Sequence, residues 1–131
     1  MKILLLDDES FSMELFVSEL RDAGHEVQHV RKIDQAFEII QKEKDFEVVI
    51  LDIMMLPGKL YENSDTKGGL RTGELFVEVI RQELPEARIS ILTNVTDSEV
   101  LARLTEILPN RIFAKEDIDP TEPSDLQKLL N

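Results

Sequence analysis

The segment MKILLLDDES (residues 1–10) joins a short, continuously apolar run to three adjacent carboxylates, Asp7, Asp8 and Glu9. Apolar residues that do not alternate with polar ones are typical of a strand buried on both faces, as in a parallel sheet. Adjacent acids at the end of such a strand repel one another and reduce stability unless another group compensates their charge. The N-terminal segment therefore predicts a buried first strand that ends at a site of concentrated negative charge.

The length, composition and charge of the chain limit the classes of protein to which it can belong. Its 131 residues predict a single domain and are enough to bury a proper hydrophobic core. The absence of cysteine excludes disulfide bonds and thiolate metal ligands. A net charge of −12, with scattered lysines and arginines, argues against direct binding to nucleic acid or to an anionic membrane. No apolar stretch is long enough to span a bilayer and no signal peptide is recognisable, so we expect a cytoplasmic protein.

Short apolar segments alternate along the chain with segments of helical periodicity. Five strands are predicted, at residues 2–7, 25–30, 47–52, 88–93 and 111–115. The apolar positions of the five predicted helices are Met13, Phe16, Val17 and Leu20; Ile33, Ala36, Phe37 and Ile40; Leu75, Phe76, Val79 and Ile80; Val100, Leu104, Ile107 and Leu108; and Leu126, Leu129 and Leu130. Thr96 and Glu99 predict a capping box at the start of the fourth helix, and Pro109 predicts its end. The alternation predicts a doubly wound α/β domain, with a five-stranded parallel sheet and helices on both of its faces.

One long polar segment, residues 54–71, interrupts this alternation. It is rich in turn-forming proline, glycine, asparagine and aspartate, and a loop of this length in a compact domain is usually functional or disordered. We interpret it as a loop inserted into a single domain of residues 1–131, and we expect no output domain. One hypothesis is that residues 56–72 screen the neighbouring site or select partners, and the alternative is a disordered surface insertion.

Reactive side chains end or follow four of the five predicted strands. They are Asp7 and Asp8 at the first strand, Asp52 at the third, Thr93 at the fourth and Lys115 at the fifth. Because a doubly wound sheet binds its ligands at the carboxyl ends of the strands, we expect these five side chains to lie together. One such residue alone would be typical of a turn or a helix cap, whereas the complete set favours a functional site.

The three aspartates of this set are hard oxygen ligands. Asp7, Asp8 and Asp52 would raise one another's pKa unless a cation lay among them. Mg²⁺ suits such a site because it binds one or two carboxylates, keeps several waters and leaves room for phosphate oxygens. Neither cysteine nor histidine is among these residues, which argues against zinc. We therefore expect Mg²⁺ as the cofactor, and its charge would compensate the adjacent acids.

As a set, these residues resemble the receiver domain of bacterial two-component response regulators. The resemblance covers essentially the whole chain. It is carried by the acidic pair Asp7-Asp8, by Asp52 in VVILDIMM, by Thr93 after ISIL and by Lys115 after RIFA. The spacings from the acidic pair to Asp52, and from Thr93 to Lys115, are also similar to those of the family. The resemblance implies a flavodoxin-like (βα)5 fold.

The resemblance further implies a phosphoryl-transfer chemistry. Asp52 would be the nucleophile, and it would accept a phosphoryl group from the phosphohistidine of a sensor histidine kinase or phosphotransfer protein to form an aspartyl phosphate. Thr93 and Lys115 would contact the phosphoryl oxygens. The implied ligands of Mg²⁺ are Asp7, Asp8, Asp52 and the backbone carbonyl of Met54.

The resemblance also implies how a signal would leave the chain. Phosphorylation would switch protein contacts with an unknown downstream partner by shifting the population between two states. A homodimer could form through the fourth helix, the fifth strand and the fifth helix. The chain would not be an enzyme in the usual sense, because it would catalyse only its own phosphorylation and slow dephosphorylation.

Four features depart from the family pattern and leave other functions open. Asn94 stands where the family usually has a small residue, Glu116 replaces a cis-proline, and the 54–71 loop is longer than usual. Ile112 stands where the family commonly has a tyrosine or phenylalanine, and Phe113 should point to the opposite face of the sheet. The alternative function is a pseudo-receiver, an interaction module that phosphorylation does not control. A third, a Mg²⁺-dependent phosphohydrolase, would need an additional acid two residues after the nucleophile, where this chain has a methionine.

Overall fold

Five parallel strands form one sheet in the structure, a computed structural model that describes residues 1–131. The strands are β1 (Lys2–Leu6), β2 (Glu26–Val30), β3 (Val48–Leu51), β4 (Arg88–Thr93) and β5 (Ile112–Ala114). Their order in the sheet is β2-β1-β3-β4-β5, and every pairing between neighbours is parallel. The predicted doubly wound α/β domain with a five-stranded parallel sheet is confirmed.

Five helices alternate with the strands, as the periodicity predicts. They are α1 (Ser10–Asp22), α2 (Ile33–Lys42), α3 (Thr72–Glu83), α4 (Ser98–Ile107) and α5 (Pro123–Leu130). A single 3₁₀ turn, Lys115–Asp117, follows β5. None of the helices combines the length and the apolar character that crossing a membrane requires.

The start of α4 differs from the prediction. Asp97, rather than Thr96, is the N-cap residue, and its side chain accepts a hydrogen bond of 3.0 Å from the N–H of Val100. The predicted capping box of Thr96 and Glu99 is therefore wrong. Aspartate and threonine are both good N-cap residues, so the pattern alone does not decide which of two neighbours adopts the extended cap conformation.

Side chains of the strands alternate between two hydrophobic cores, one on each face of the sheet. In β1, Leu4 and Leu6 face the core that includes α2, α3 and α4. Ile3 and Leu5 face the core that includes α1 and α5. Because both faces are covered, the strands are apolar at every position, which explains the continuous apolar runs of the sequence.

The register of the sheet aligns the ends of its central strands. Leu6 of β1 pairs with Leu51 of β3, and hydrogen bonds extend the ladder by one residue. The N–H of Asp52 donates to the carbonyl of Leu6 at 3.0 Å, and the N–H of Asp7 donates to β2 at the same distance. The order of the strands reverses between β1 and β3, so this edge is the point where a doubly wound sheet binds ligands.

The long loop at residues 54–71 is a series of turns that packs on the molecule. Its ends are tied together by hydrogen bonds, from the N–H of Met55 to the carbonyl of Gly69 at 3.2 Å and from the N–H of Arg71 to the carbonyl of Thr66 at 2.9 Å. Its side chains that pack against the core under α2, α3 and α4 are Leu60, Tyr61 and Leu70. The loop is thus anchored by hydrogen bonds and by apolar contacts.

Gly73, in the first turn of α3, lies in close contact with the chain that leaves β3. Its N–H donates to the carbonyl of Ile53 at 2.7 Å. A Cβ at this position would lie 2.6 Å from the Cα of Ile53 and would also meet the carbonyl oxygen of Asp52. These are backbone atoms, which cannot move aside without separating α3 from the end of β3.

We predict that Gly73→Ala lowers the free energy of unfolding by about 1–3 kcal/mol, the usual cost of overpacking. Urea unfolding measures this difference. Glu78→Ala, at an exposed position of the same helix, is the control and should change stability by less than about 0.5 kcal/mol. A Gly73→Ala variant as stable as the wild type would contradict the close approach of α3 to β3.

Candidate functional site

The structure brings all five predicted side chains to one edge of the sheet. One carboxylate oxygen from each of Asp7, Asp8 and Asp52 lies within 4.8 Å of the others. Asp7 and Asp52 are buried, whereas Asp8 is exposed. Thr93 and Lys115 reach the same group of acids from β4 and from the start of the 3₁₀ turn after β5. The convergence that the sequence predicts is therefore present.

Asp52 has a different partner on each of its carboxylate oxygens. Oδ1 accepts a hydrogen bond of 2.5 Å from the hydroxyl of Thr93 and one of 2.7 Å from the N–H of Ile53. Oδ2 lies 3.2 Å from Nζ of Lys115. The carboxylate is thus held in one orientation by donors on both of its oxygens.

Lys115 is the cation that pairs with this group of acids. Its Nζ lies 2.9 Å from Oδ2 of Asp7, 3.2 Å from Oδ2 of Asp52 and 3.5 Å from Oε2 of Glu9. Its side chain is only 10% exposed, so its charge is weakly screened by water. One ammonium group thereby faces three carboxylates.

Glu9 is a member of the site that the sequence did not single out. Its carboxylate accepts a hydrogen bond of 2.7 Å from the hydroxyl of Ser12, and its N–H donates to Oδ1 of Asp7 at 2.8 Å. Its position directly after the acidic pair was the available signal. The direction in which an exposed side chain points at the start of a helix cannot be read from that signal.

The pKa values of Asp7 and Lys115 are both raised, for different reasons. Burial raises the pKa of Asp7 above its ordinary value, against the opposing effects of Lys115 and of the Glu9 N–H. Burial alone would lower the pKa of Lys115, but its close ion pair with Asp7 and the charge of Asp52 outweigh burial and raise that pKa. The lysine therefore stays protonated, and a single positive charge must balance the acids.

The acid group fits a divalent cation. Oδ2 of Asp7 is buried and has an ion pair with Lys115, but it receives no well-directed hydrogen bond. A buried carboxylate oxygen without a hydrogen bond is costly unless a positive charge stabilises it. Three carboxylate oxygens at this spacing are also the hard ligands that small divalent cations prefer. The structure is thus compatible with a divalent cation site at Asp7, Asp8 and Asp52.

Thr93 connects Asp52 to the segment between β4 and α4. While the Thr93 hydroxyl donates to Asp52, its oxygen accepts a hydrogen bond of 3.1 Å from the N–H of Val95. Asn94, between them, is exposed and lines the cleft beside the acids. A movement of the Thr93 side chain would therefore change the backbone contacts that precede α4.

The predicted orientations on β5 are confirmed. Ile112 packs against the core under α2, α3 and α4, and Phe113 packs against the core on the opposite face. The position where receiver domains commonly have an aromatic residue thus holds a half-buried aliphatic side chain. Glu116 lies exposed in the 3₁₀ turn directly after Lys115.

An open cleft of about 790 Å³ lies beside the acids, and the 54–71 loop forms one of its walls. The loop contributes Met54, Met55, Leu56, Gly68 and Leu70 to this wall. The segment before α4, residues 94–97, also lines the cleft, as do Asp8, Glu9 and Asp52. The loop is therefore part of the site's surroundings, as its position in the sequence led us to expect.

Asp34 of α2 anchors the 54–71 loop at Lys59 and Leu60. Its carboxylate accepts hydrogen bonds from the N–H groups of Lys59 and Leu60, at 2.9 and 3.0 Å. Gly58 allows this contact, because it has a φ of 60° and a Cβ there would lie 2.7 Å from the Asp34 oxygens. The wall of the cleft is thus fixed to a helix.

No model of a protein family and no curated protein matches the chain, but solved structures do. A response regulator protein from Burkholderia pseudomallei, with a phosphorylated aspartic acid, a calcium ion and citrate, matches with a TM-score of 0.73 and 19% identity over 99% of this chain and 66% of its own. A CheY-like receiver domain protein from Methanospirillum hungatei matches with a TM-score of 0.72 and 19% identity. The match covers 97% of this chain and 87% of that protein. A chemotaxis response regulator of Vibrio cholerae matches with a TM-score of 0.70 and 24% identity. The match covers 98% of this chain and 94% of that protein.

These likenesses show that the chain has the fold of response regulator receiver domains. The fold that the resemblance in sequence implies is therefore confirmed. The chain spans just under two thirds of the length of the Burkholderia protein and nearly the whole of the Vibrio protein.

The anchoring of the loop by Asp34 should depend on pH. The N–H groups of Lys59 and Leu60 hold the pKa of the Asp34 carboxyl below its ordinary value of 3.8. Because the folded pKa is lowered, the stabilisation is fully present above the unfolded value and is lost as the pH falls through the folded one. We predict that Asp34→Ala lowers the free energy of unfolding by about 1 kcal/mol near neutral pH, and by less near pH 3.

Urea unfolding of wild type and variant at the two pH values measures this difference. Glu38→Ala, at an exposed position of the same helix, is the control and should change stability by less than about 0.5 kcal/mol at either pH. An Asp34→Ala deficit that does not shrink on acidification would show that the carboxylate does not anchor the loop.

Proposed function

We propose that the chain is a phospho-accepting receiver of a two-component signal transduction system. Its phosphoryl donor is the phosphohistidine of a sensor histidine kinase or phosphotransfer protein, and its acceptor is Asp52. The observation that carries this proposal is the environment of Asp52. A buried carboxylate at the ligand-binding edge of the sheet has Thr93 on one oxygen and Lys115 on the other, with two more acids beside it. The receiver fold supports the same function.

The reaction needs a positioned nucleophile rather than a general base. An oxygen of the Asp52 carboxylate attacks the phosphorus, a P–O bond forms, and the P–N bond of the phosphohistidine breaks with its electron pair passing to the imidazole nitrogen. A carboxylate is already deprotonated at neutral pH, so no residue must remove a proton from it. The bonds from Thr93 and the Ile53 N–H orient this carboxylate before the reaction.

A divalent cation would compensate the negative charges of the three acids and of the incoming phosphoryl group. We expect Mg²⁺, held by Asp7, Asp8, Asp52 and the backbone carbonyl of Met54. When bound, it would neutralise charge on the phosphoryl oxygens.

Lys115 and Thr93 would change partners when Asp52 becomes an acyl phosphate. Lys115 now pairs with Asp7 and Asp52, and its ammonium group would stabilise a phosphoryl oxygen in the product. The Thr93 hydroxyl would donate to another phosphoryl oxygen, which would alter its contact with the Val95 N–H. The result is a population shift of the segment before α4 rather than a released product.

The output of this receiver is a change in protein contacts. We expect an unknown downstream protein as the partner, with a homodimer through α4, β5 and α5 as one form that the contact can take. Direct binding to nucleic acid is disfavoured by the net charge of −12. Localisation in the cytoplasm, and activity limited to phosphorylation and slow dephosphorylation of the chain itself, stay predictions.

One observation favours the pseudo-receiver as a second candidate. Ile112 occupies the position on β5 where receivers commonly have an aromatic residue, and it packs against the core. Glu116 and Asn94 also differ from the family pattern. A chain that kept the fold and the acids but lost the switch would have these features, and it would bind its partner in the same way with or without phosphorylation.

We predict that the wild type gains one phosphoryl group when it is incubated with Mg²⁺ and acetyl phosphate. Asp52→Asn should gain none, because its neutral amide lacks the nucleophilic carboxylate oxygen. Chelation of the metal with EDTA should abolish the addition to the wild type, because no cation then neutralises the charge on the phosphoryl oxygens. Intact-mass measurement counts the groups that are added.

Glu78→Gln, at an exposed position of α3, is the control and should be phosphorylated like the wild type. No addition to the wild type, with Mg²⁺ binding confirmed separately, would refute the phospho-acceptor function and favour the pseudo-receiver. Equal addition to Asp52→Asn would place the acceptor elsewhere.

A further inference from the structure

A single buried carboxylate joins the 54–71 loop to α4. Glu74, in the first turn of α3, has a side chain that is only 7% exposed. Its Oε2 lies 2.8 Å from Nη2 of Arg71, the last residue of the loop. Its two oxygens also accept hydrogen bonds of 2.9 and 3.1 Å from Nε of Arg103, which lies in α4. One acid therefore has ion pairs with two segments that are far apart in the sequence.

The position of Arg103 depends on this acid. Its Nη2 is buried and has no hydrogen-bond partner, so Glu74 provides the contacts that hold its guanidinium group. The Arg103 side chain is 40% exposed, so solvent screens this pair in part, but the Glu74 carboxylate is buried and is costly to leave without its partners. The Arg71–Glu74–Arg103 contacts therefore favour movement of the loop end and α4 together over separate movement.

The loop and the segment before α4 both line the cleft beside the acids. The segment before α4, residues 94–97, is connected to the acceptor, because Thr93 donates to Asp52 and accepts from Val95. A change at Asp52 can thus reach α4 through its N-terminal segment, and α4 is in turn paired with the end of the loop.

At position 112, β5 has no aromatic side chain through which such a change could pass. β5 is three residues long, and its Ile112 is packed against the same core as α4 rather than being an aromatic side chain. By contrast, the ion pairs of Glu74 connect Arg103 of α4 directly to Arg71, at the end of the 54–71 loop.

We propose that Glu74 couples α4 to the 54–71 loop, so that phosphorylation changes the loop together with α4. This inference rests on the proposed phosphorylation of Asp52. Glu74 is a positioning residue in it, because its carboxylate acts through Arg71 and Arg103 and does not touch the phosphoryl group. The switched surface then includes the loop as well as α4.

Hydrogen–deuterium exchange of the full chain tests the coupling, with and without Mg²⁺ and acetyl phosphate, and with intact mass measured on the same samples. In the wild type, phosphorylation should change the exchange of α4 and of the 54–71 loop by about fivefold or more, the lower range of typical coupling between sites. In Glu74→Gln the added mass and the change in α4 should persist, whereas the change in the loop should fall to less than about half.

Two further variants keep the test decisive. Arg103→Gln removes the contact with α4 but leaves the Arg71–Glu74 pair in place, so it should uncouple the loop even if Glu74→Gln fails to fold. Glu78→Gln, exposed on the same helix, should respond like the wild type.

The outcomes separate this inference from the proposed function. A phosphorylated wild type whose loop does not respond overturns the coupling alone, as does a full loop response in phosphorylated Arg103→Gln. A wild type that gains no phosphoryl group overturns the proposed function, and the coupling falls with it.

Discussion

The ion pairs of Lys115 with Asp7 and Asp52 are the interaction on which the arrangement of the site depends. Two buried carboxylates at the ends of adjacent strands repel each other, and Asp8 adds a third charge nearby. One weakly screened ammonium group reduces this repulsion, at 2.9 Å from Asp7 and 3.2 Å from Asp52. The remaining negative charge makes the site compatible with a divalent cation.

The fold places these charges and keeps them in register. Parallel pairing of the central strands ends at one level, and the ladder continues through the N–H of Asp52 to the carbonyl of Leu6. Gly73 then lets α3 approach the end of β3 so closely that no side chain fits between them. Asp52 therefore follows a fully paired strand. Thr93 connects it to the segment before α4, and Glu74 connects α4 to the end of the 54–71 loop.

Features that depend on local pattern and on strand register could be predicted from the sequence. Asp52 and Lys115 lie together because parallel strands end at one edge, and Ile112 and Phe113 face opposite cores because side chains alternate along a strand. Features that depend on the direction of one side chain could not. The position of Glu9 beside the acidic pair does not show that its side chain turns towards Lys115, and nothing in the order of the residues places Glu74 between two arginines.

We propose that Asp52 accepts the phosphoryl group and that Thr93 passes the change to Val95, ahead of α4. Amide NMR spectra with Mg²⁺ and beryllofluoride, a stable analogue of the phosphoryl group, test it most directly. We expect the resonances of both amides to shift in the wild type, because one donates to Asp52 and the other to Thr93, and to stay unchanged in Asp52→Asn. Resonances that do not move in the wild type, or that move equally in Asp52→Asn, would contradict the account.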